Sequence, residues 1–261
     1  MAMSKNIIEC SKLTHGFAGR SVLSDVSLTV GASERIALVG PSGCGKSTLL
    51  NLISGLIEPN SGELRNSVHA DDISFVFQEP SLLPWKTVSA NVTLFGDLLN
   101  VSSKAMDSGQ TAETGPEGLR LKMLLEQVSL WEWRNSYPDE LSGGMKMRAA
   151  LARALYKSPK LLLLDEPFAA LDDITRETLQ DELINLSRSS QMAVVLVTHN
   201  IEEAVLLSDR IIVFSRAGRI QLEINVNDYF EANSQRRNSP EILKLKALIH
   251  AQWKENDRRA T

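Results

Sequence analysis

The sequence predicts an α/β fold in which helices cover both faces of a largely parallel sheet. Three short apolar runs, 36–39, 161–164 and 193–197, have the length and composition of strands buried on both faces. A segment with helical spacing follows each run, and strands that alternate with helices are typical of a parallel sheet. A glycine loop, two acidic residues and a histidine follow the three runs, at the sheet edge where ligands bind in such folds.

The composition is that of a globular protein without the charge of a nucleic-acid binder. The 261 residues are 43% hydrophobic and 23% charged, and the formal net charge is −4. The two cysteines are Cys10 and Cys44, and the second lies inside the glycine loop, so we expect a reduced compartment. The N-terminus lacks the apolar stretch of a signal peptide, and no apolar run approaches the roughly 20 residues that span a bilayer. We therefore expect a cytoplasmic protein whose membrane role would depend on a partner.

The glycine loop follows the first apolar run and leads into a helix. It fits the pattern G-x-x-x-x-G-K-[ST], and its residues are Gly40, Pro41, Ser42, Gly43, Cys44, Gly45, Lys46, Ser47 and Thr48. The glycines let backbone N–H groups approach an anion, which the helix N-terminus also attracts. Lys46 would reach the β- and γ-phosphates, and the Ser47 hydroxyl would ligate Mg²⁺. The sequence therefore predicts a nucleoside triphosphate site.

Two strands are predicted before this loop, over 7–10 and 22–30, with a turn around residues 16–19. Phe17 lies in that turn. An aromatic residue there is either part of the core or, in a nucleotide-binding chain, a platform that stacks on the purine. The sequence leaves both alternatives open.

A strand over 73–77 delivers Gln78 to its end, and a loop bounded by prolines follows. The loop carries three large apolar residues, Leu82, Leu83 and Trp85. They either pack under the loop as a small core or form a surface that docks a partner.

Helical spacing over 88–99 and 119–128 predicts two helices. Thr87 or Ser89 would cap the first of them. The segment 101–118 between them is polar and contains small residues and glycine, so we expect a loop without chemistry there.

A Ser142-Gly143-Gly144 segment opens a helix predicted over 145–156. A hydroxyl and backbone N–H groups at a helix N-terminus form a second anion site, although a simple capped helix gives the same pattern. Because the segment has no lysine, it could cap a phosphate but not replace the first loop.

Two carboxylates, Asp165 and Glu166, end the second apolar run, and His199 follows the third. Asp165 would hold Mg²⁺ through its waters, and Glu166 would act as the general base toward the attacking water. His199 could contact the γ-phosphate or hold that water, although a structural histidine is the usual alternative. Helices are predicted after these strands, over 173–188 and 200–208.

A hairpin over 211–214 and 219–224 ends the predicted sheet, and a polar tail begins near residue 228. An amphipathic helix is predicted after Pro240, and its apolar side would pack against the domain or a neighbour. That side consists of Ile242, Leu245, Leu248, Ile249 and Trp253.

Together these stretches resemble the ATP-binding subunit of ATP-binding cassette (ABC) transporters over nearly the whole chain. The motifs that carry the resemblance are the Walker A loop Gly40–Thr48, the Q-loop residue Gln78, the signature Leu141, Ser142, Gly143, Gly144 and Met145, the Walker B strand ending at Asp165 with Glu166, the D-loop residue Asp172, the switch residue His199 and the A-loop aromatic Phe17. Their order is that of the family, which makes the resemblance highly specific.

The resemblance implies a P-loop NTPase with a RecA-like, mostly parallel core, a β subdomain and an inserted α-helical subdomain. In this scheme one nucleotide-binding domain spans 1–227, with its core at 1–86 and 159–227, the helical subdomain with the signature at 87–158, and a tail at 228–261. The resemblance also implies Mg²⁺-dependent hydrolysis of ATP to ADP and phosphate. The implied catalytic residues are Glu166, His199 and Gln78, and the implied Mg²⁺ ligands are Ser47, Gln78 and Asp165.

Partners are implied as well. In the family the signature of one subunit caps the ATP held by the Walker A loop of the other, which implies a head-to-tail homodimer with two ATP. The family further implies an integral-membrane permease that docks beside the Q-loop, and an extracytoplasmic solute-binding protein that acts indirectly. The expected place of the chain is the inner face of the cell membrane, without a nucleic-acid partner.

Segments 76–85, 165–172 and 237–243 are similar to the branch that energises import of nitrate, sulfonates, taurine and related small solutes. The chain departs from the family at the stretch 145–148, which is not glutamine-rich, at Asn200, where aspartate is usual, and at Phe17, where tyrosine is commoner. A soluble ABC ATPase without a permease is the alternative function. The net charge and the apolar loop after Gln78 disfavour it.

Overall fold

A computed structural model of the chain describes residues 6–95, 115–230, 236–237 and 239–259. The strands are β1 (Asn6–Phe17), β2 (Arg20–Gly31), β3 (Arg35–Val39), β4 (Ser61–Asn66), β5 (Ile73–Val76), β6 (Leu161–Asp165), β7 (Ala193–Val197), β8 (Arg210–Phe214) and β9 (Ile220–Asn225). The helices are α1 (Lys46–Ile53), α2 (Val88–Val92), α3 (Pro116–Gln127), α4 (Gly143–Tyr156), α5 (Asp173–Ser189), α6 (Ile201–Leu207) and α7 (Pro240–Arg259). Within the described ranges, no helix is long and apolar enough to cross a membrane.

A six-stranded sheet in the order β5-β6-β7-β3-β8-β9 forms the centre of the fold. The first five strands are parallel, and β9 pairs antiparallel with β8. Every residue of β3, β6 and β7 is buried, as their continuous apolar sequences predict. The predicted α/β class with a mostly parallel sheet is therefore confirmed. Because these strands are parallel, their carboxyl ends bring Gln78, Glu166, His199 and the glycine loop to one edge.

A second, antiparallel sheet in the order β2-β1-β4 contains the N-terminal strands. The predicted strands over 7–10 and 22–30 are confirmed, and both extend further than their apolar residues indicate. Val26, Leu28 and Val30 are buried on one face of β2, as their alternation predicts. The β1–β2 turn leaves Phe17 at the end of β1, opposite Arg20.

Three clusters of buried apolar side chains hold the helices against the sheets. One joins α2, α3, α4 and α5 to the β5–β6–β7 side of the larger sheet, and a second fills the space between the two sheets around α1. The third contains α6, β8 and α7, where Ile242, Leu245 and Ile249 are buried. The predicted packing of the tail helix against the domain is confirmed for these residues, whereas the side chain of Trp253 lies outside the described residues.

Two predictions of local structure are wrong in part. The helix predicted over 88–99 stops at Val92, where the N–H of Thr93 closes the last turn on the Ser89 carbonyl. Leu94 and Phe95 are helical again, and the rest of that prediction lies outside the described residues. The loop predicted over 101–118 overlaps α3, because Pro116 at the first helical position and Glu117 in the first turn favour an early start. The remainder of that loop, and the division of the chain into subdomains, stay predictions.

Candidate functional site

The glycine loop between β3 and α1 has the backbone geometry that only glycine adopts readily. Gly43 and Gly45 have φ values of +76° and +99°. A side chain at Gly45 would lie 2.6 Å from Leu23 Cδ2, whereas one at Gly43 would meet no atom of the described residues within 4 Å. Gly45 is thus required by packing against the N-terminal sheet, and Gly43 faces open space where a ligand can approach.

The Lys46 ammonium is held against the backbone of this loop. Nζ donates hydrogen bonds to the carbonyl oxygens of Gly40 at 2.8 Å and Pro41 at 2.9 Å, and the residue is buried. Cys44 Sγ lies 3.7 Å from the same nitrogen. Burial raises the pKa of the Cys44 thiol, and the nearby ammonium offsets part of that rise. The loop therefore fixes its one cation next to the open backbone at Gly43.

Asp165, at the end of β6, faces the first turn of α1. Burial raises the pKa of its carboxyl group, while a hydrogen bond with the Ser47 hydroxyl and the charge of Lys46 lower it and the Glu166 carboxylate raises it. Oδ1 is buried and has no hydrogen-bond partner among the described residues. A buried carboxylate oxygen without a donor calls for a further partner at this point.

The donors around Asp165 fit Mg²⁺. Mg²⁺ prefers oxygen ligands and is usually bound by one or two protein groups together with waters and phosphate oxygens. The Asp165 carboxylate and the Ser47 hydroxyl supply such a pair. In the described ranges there is no group of three or more His, Cys, Asp or Glu side chains that could hold a metal alone. Waters and phosphate oxygens would supply the remaining ligands of the ion.

Glu166 and His199 meet across the ends of β6 and β7. Glu166 Oε2 lies 3.3 Å from His199 Nδ1, and the Glu166 N–H donates to the Val197 carbonyl at 3.0 Å. Glu166 has a φ of +48°, a left-handed conformation that costs free energy in a non-glycine residue. The imidazole is 66% exposed and the carboxylate 22%. The carboxylate at this strained turn is thus partly exposed and in contact with the imidazole.

Gln78 reaches the same edge from β5. Val76 pairs with Leu164, so Gln78 and Glu166 both lie two residues beyond a paired position. The side chain of Gln78 is exposed. The structure thus brings the predicted catalytic residues to one edge, and their individual roles stay predictions.

The signature residues divide between core and surface. Leu141 is buried and Met145 packs against the apolar cluster of α4, whereas Ser142 and Gly143 are exposed. Ser142 Oγ accepts a hydrogen bond from the Met145 N–H at 3.2 Å, which makes it the N-cap of α4. A side chain at Gly143 would meet nothing within 4 Å in the described part of the chain. The N-terminus of α4 is therefore open to an anion from outside the chain.

The D-loop packs directly against the signature. A side chain at Gly144 would lie 3.3 Å from Leu171 Cδ2 and 3.4 Å from the Ala170 carbonyl oxygen. Asp172 caps α5 by accepting a hydrogen bond from the Thr175 N–H at 3.0 Å, and hydrogen bonds with Thr175 lower the pKa of its carboxyl group. The exposed carboxylate at this cap is thus held ionised.

Phe17 is not a core residue. Its side chain is 54% exposed, so the core alternative is wrong, and stacking on a purine stays a prediction. His15, two residues earlier in β1, is buried and touches the Phe17 ring edge-on, with 4.8 Å between the ring centroids. This contact supports the ring from behind and leaves its outer part accessible.

The apolar loop after Gln78 combines the two alternatives that its sequence leaves open. Leu82 packs against the core, whereas Trp85 is 70% exposed. Two polar residues shape the loop: the buried Asn91 amide bonds the backbone of residues 83, 86 and 87, and Arg153 of α4 donates to the carbonyls of residues 80 and 81. The loop is therefore a fixed structure that presents one indole.

Sequence reasoning missed the polar residues that hold the site together. Besides Asn91 and Arg153, they include Arg176 of α5 and Glu203 of α6, which interact with one another near His199. A signal exists for Glu203, because it interrupts the apolar pattern of a short helix whose neighbours are nearly all buried. Nothing comparable marks Arg176, which lies in a helix with many charged residues.

Comparison with known proteins agrees with this geometry. A family model described as ABC transporter matches residues 23–169. The chain is 40% identical over 232 residues to the aliphatic sulfonates import ATP-binding protein SsuB 1 of Pseudomonas savastanoi pv. phaseolicola. The aligned region covers 88% of this chain and 89% of that protein. The chain is 43% identical over 205 residues to the nitrate import ATP-binding protein NrtC of Synechococcus elongatus, covering 77% of this chain and 30% of that protein.

A solved structure gives the same result. The dimeric ATP-binding cassette MJ0796, in a post-hydrolysis state bound to ADP and Pi, matches with a TM-score of 0.72 and 30% identity, covering 84% of this chain and 99% of that one. The fold and the site thus define an ATP-binding, ATP-hydrolysing cassette. The chain belongs to the ABC transporter family, which confirms the resemblance and the assignment as an ATPase.

Proposed function

We propose that this chain is the ATP-hydrolysing subunit of an importer for a small anionic or zwitterionic solute such as nitrate, a sulfonate or taurine. The observation that carries the hydrolytic part is the 3.3 Å contact between Glu166 and His199. His199 follows β7, which lies next to β3 and its phosphate loop, and Glu166 follows β6, the next strand along the sheet. The relatives named as sulfonate and nitrate import proteins support the importer part.

In the proposed mechanism the loop backbone and Lys46 bind the β- and γ-phosphates of ATP, and Phe17 stacks on the adenine. Glu166 accepts the proton of the attacking water, and His199 orients this carboxylate and the γ-phosphate. Ser47, Gln78 and Asp165 would hold Mg²⁺, which neutralises charge on the phosphate oxygens when bound. The strained backbone at Glu166 is consistent with a carboxylate held in a fixed direction for catalysis.

The chain is proposed to act as a head-to-tail homodimer. The exposed helix N-terminus at Ser142 and Gly143 is open to an anion, and a phosphate held by a second copy is the ligand that it suits. The dimeric relative bound to ADP and Pi supports this arrangement. Two ATP would then lie between the subunits, each in contact with both chains.

The membrane partner is proposed to dock on the loop after Gln78. The exposed Trp85 lies on a loop fixed by Asn91 and Arg153, and a rigid, exposed aromatic residue is typical of an anchor in a protein interface. An integral-membrane permease would place the chain at the inner face of the cell membrane, and an extracytoplasmic binding protein would deliver the solute to that permease.

Deletion of the coding sequence from its source organism tests the importer function. The deletion strain is grown with taurine or an alkanesulfonate as the sulfur source, or with nitrate as the nitrogen source, and with sulfate and ammonium as controls. We expect growth to fail on one of these solutes, to return with the wild-type gene and not to return with Glu166→Gln. Normal growth and uptake on all of the test solutes would contradict the importer assignment without affecting the ATPase.

A further inference from the structure

Glu203 is a buried carboxylate beside the proposed catalytic pair. It is 7% exposed, and its Oε2 accepts a hydrogen bond of 2.6 Å from the Thr198 hydroxyl. The same hydroxyl accepts a hydrogen bond from the Asn200 N–H at 3.0 Å. Glu203 therefore holds Thr198, and Thr198 in turn holds the backbone of Asn200, so the residues on both sides of His199 are fixed.

Arg176 connects the other oxygen of this carboxylate to the D-loop. Its Nε lies 3.7 Å from Glu203 Oε1, and its Nη2 donates to the Leu171 carbonyl at 2.7 Å. Leu171 immediately precedes Asp172, and its side chain is the one that packs against the signature at Gly144. The guanidinium thus bridges Glu203 and the segment between β6 and α5, which packs against the signature at Gly144.

Gln180 completes the surroundings of the carboxylate. It is almost fully buried one turn after Arg176, and its Nε2 lies 3.5 Å from Glu203 Oε1. Apolar residues would fill this space at a lower desolvation cost, because a buried charge is expensive even when it is paired. Burial indeed raises the pKa of the Glu203 carboxyl group, while Thr198 and Arg176 offset part of that rise. Stability alone does not account for a carboxylate at this position.

We propose that Glu203 is a positioning residue that holds the His199 segment and the D-loop in one fixed arrangement during hydrolysis. Its hydrogen bond with Thr198 fixes the position of His199 relative to Glu166. Its ion pair with Arg176 couples that position to the D-loop at Leu171 and Asp172. A movement of the signature that shifts the D-loop would therefore alter the position of His199 relative to Glu166. This inference rests on the proposed roles of Glu166 and His199.

The test compares Glu203→Gln with Glu202→Gln, the neighbouring exposed carboxylate that pairs with Lys246. We expect Glu203→Gln to lower kcat at least about tenfold, to leave the Kd for ATP within twofold and to unfold at the same temperature or a higher one. Glu202→Gln should match the wild type. A purely structural role predicts instead that kcat, ATP binding and the unfolding temperature fall together, and that result, or a kcat within twofold of the wild type, overturns the proposal.

Arg176→Met and Thr198→Val extend the test to the two links. If Glu203 acts through Arg176, the double variant Glu203→Gln/Arg176→Met should be about as slow as the slower single variant. If the losses in kcat of the two single variants multiply in the double variant, Glu203 does not act through Arg176.

Thr198→Val keeps the side-chain shape and removes the hydroxyl that donates to Glu203, so it tests the proposal even if Glu203→Gln does not fold. Glu166→Gln is assayed in parallel, because full turnover in that variant would overturn the catalytic pair itself and not the Glu203 arrangement.

Discussion

The side chains of Glu166 and His199 lie 3.3 Å apart although the residues are 33 positions apart in the chain. The two side chains meet because β6 and β7 are adjacent parallel strands that end at the same level, with Asp165 paired to Val197. Glu166 has a left-handed backbone conformation at that point, immediately after β6 ends. The pair is therefore a product of strand order and of one strained residue.

Replacement of Glu166 by glutamine should separate ATP binding from ATP hydrolysis. Glutamine keeps the size of the side chain but cannot accept the proton of water, so kcat should fall by roughly 100-fold or more. The Kd for ATP should stay within about twofold, because the phosphate loop is untouched. Steady-state ATP hydrolysis and nucleotide titration measure the two quantities.

The exposed Glu177 on α5 offers a matched control for this experiment. Glu177→Gln removes a carboxylate that pairs with Arg237 away from the loop, and its kcat should equal that of the wild type. Undiminished turnover in Glu166→Gln would show that another group is the base.

Phe17 should contribute to binding of the base and not of the phosphates. Stacking of a base on an aromatic ring contributes about 1–3 kcal/mol, so Phe17→Ala should weaken ATP binding by roughly fivefold or more. Phe17→Tyr keeps the ring and should bind ATP within about twofold of the wild type. Competition with inorganic tripolyphosphate provides the control, because its affinity should be the same in all three proteins. An equal loss for tripolyphosphate would mean that Phe17 acts through the loop.

The sequence predicts the site better than it predicts what surrounds it. The strands β3, β6 and β7 are continuous apolar runs, and the residues at their ends carry the motifs, so both follow from local pattern. In contrast, β4 has a mostly exposed, polar sequence and is a strand only because β1 pairs with it. The contact between Arg176 and Glu203 depends on how α5 packs against α6, which neither helix encodes alone.

The stability of the protein should depend on the ionisation of Glu203. Burial raises the pKa of this group above the ordinary value of 4.5, so the folded chain binds its proton more tightly than the unfolded chain. The contribution of Glu203 to the free energy of unfolding is then fully present below pH 4.5 and is lost as the pH rises through the raised pKa. Glu203→Gln, which cannot ionise, should be more stable than the wild type near neutral pH, and the difference should shrink as the pH falls toward the ordinary value of 4.5.

Urea unfolding at several pH values measures this difference, with Glu202→Gln as the control that should show no such trend. A difference that stays constant or grows as the pH falls would mean that the pairing of Glu203 with Arg176 outweighs its desolvation.

The head-to-tail dimer makes a prediction about mixtures of inactive chains. Lys46→Ala removes the cation of the phosphate loop, and Gly143→Asp places a negative charge at the signature, where the open space around Gly143 accommodates a side chain. Asp is also favourable in the first turn of a helix, so the second variant should fold. Each variant alone should be inactive, because every site in its dimer carries one defect.

Mixing the two variants should restore activity. In a mixed dimer one site combines both defects, and the other combines an intact loop with an intact signature. Random pairing makes half of the dimers mixed, so an equimolar mixture should recover roughly a quarter of the wild-type rate. If the loop and the signature of one chain formed a site by themselves, mixing would restore nothing. Steady-state ATP hydrolysis before and after mixing, with each variant alone at the same total concentration, distinguishes the two arrangements.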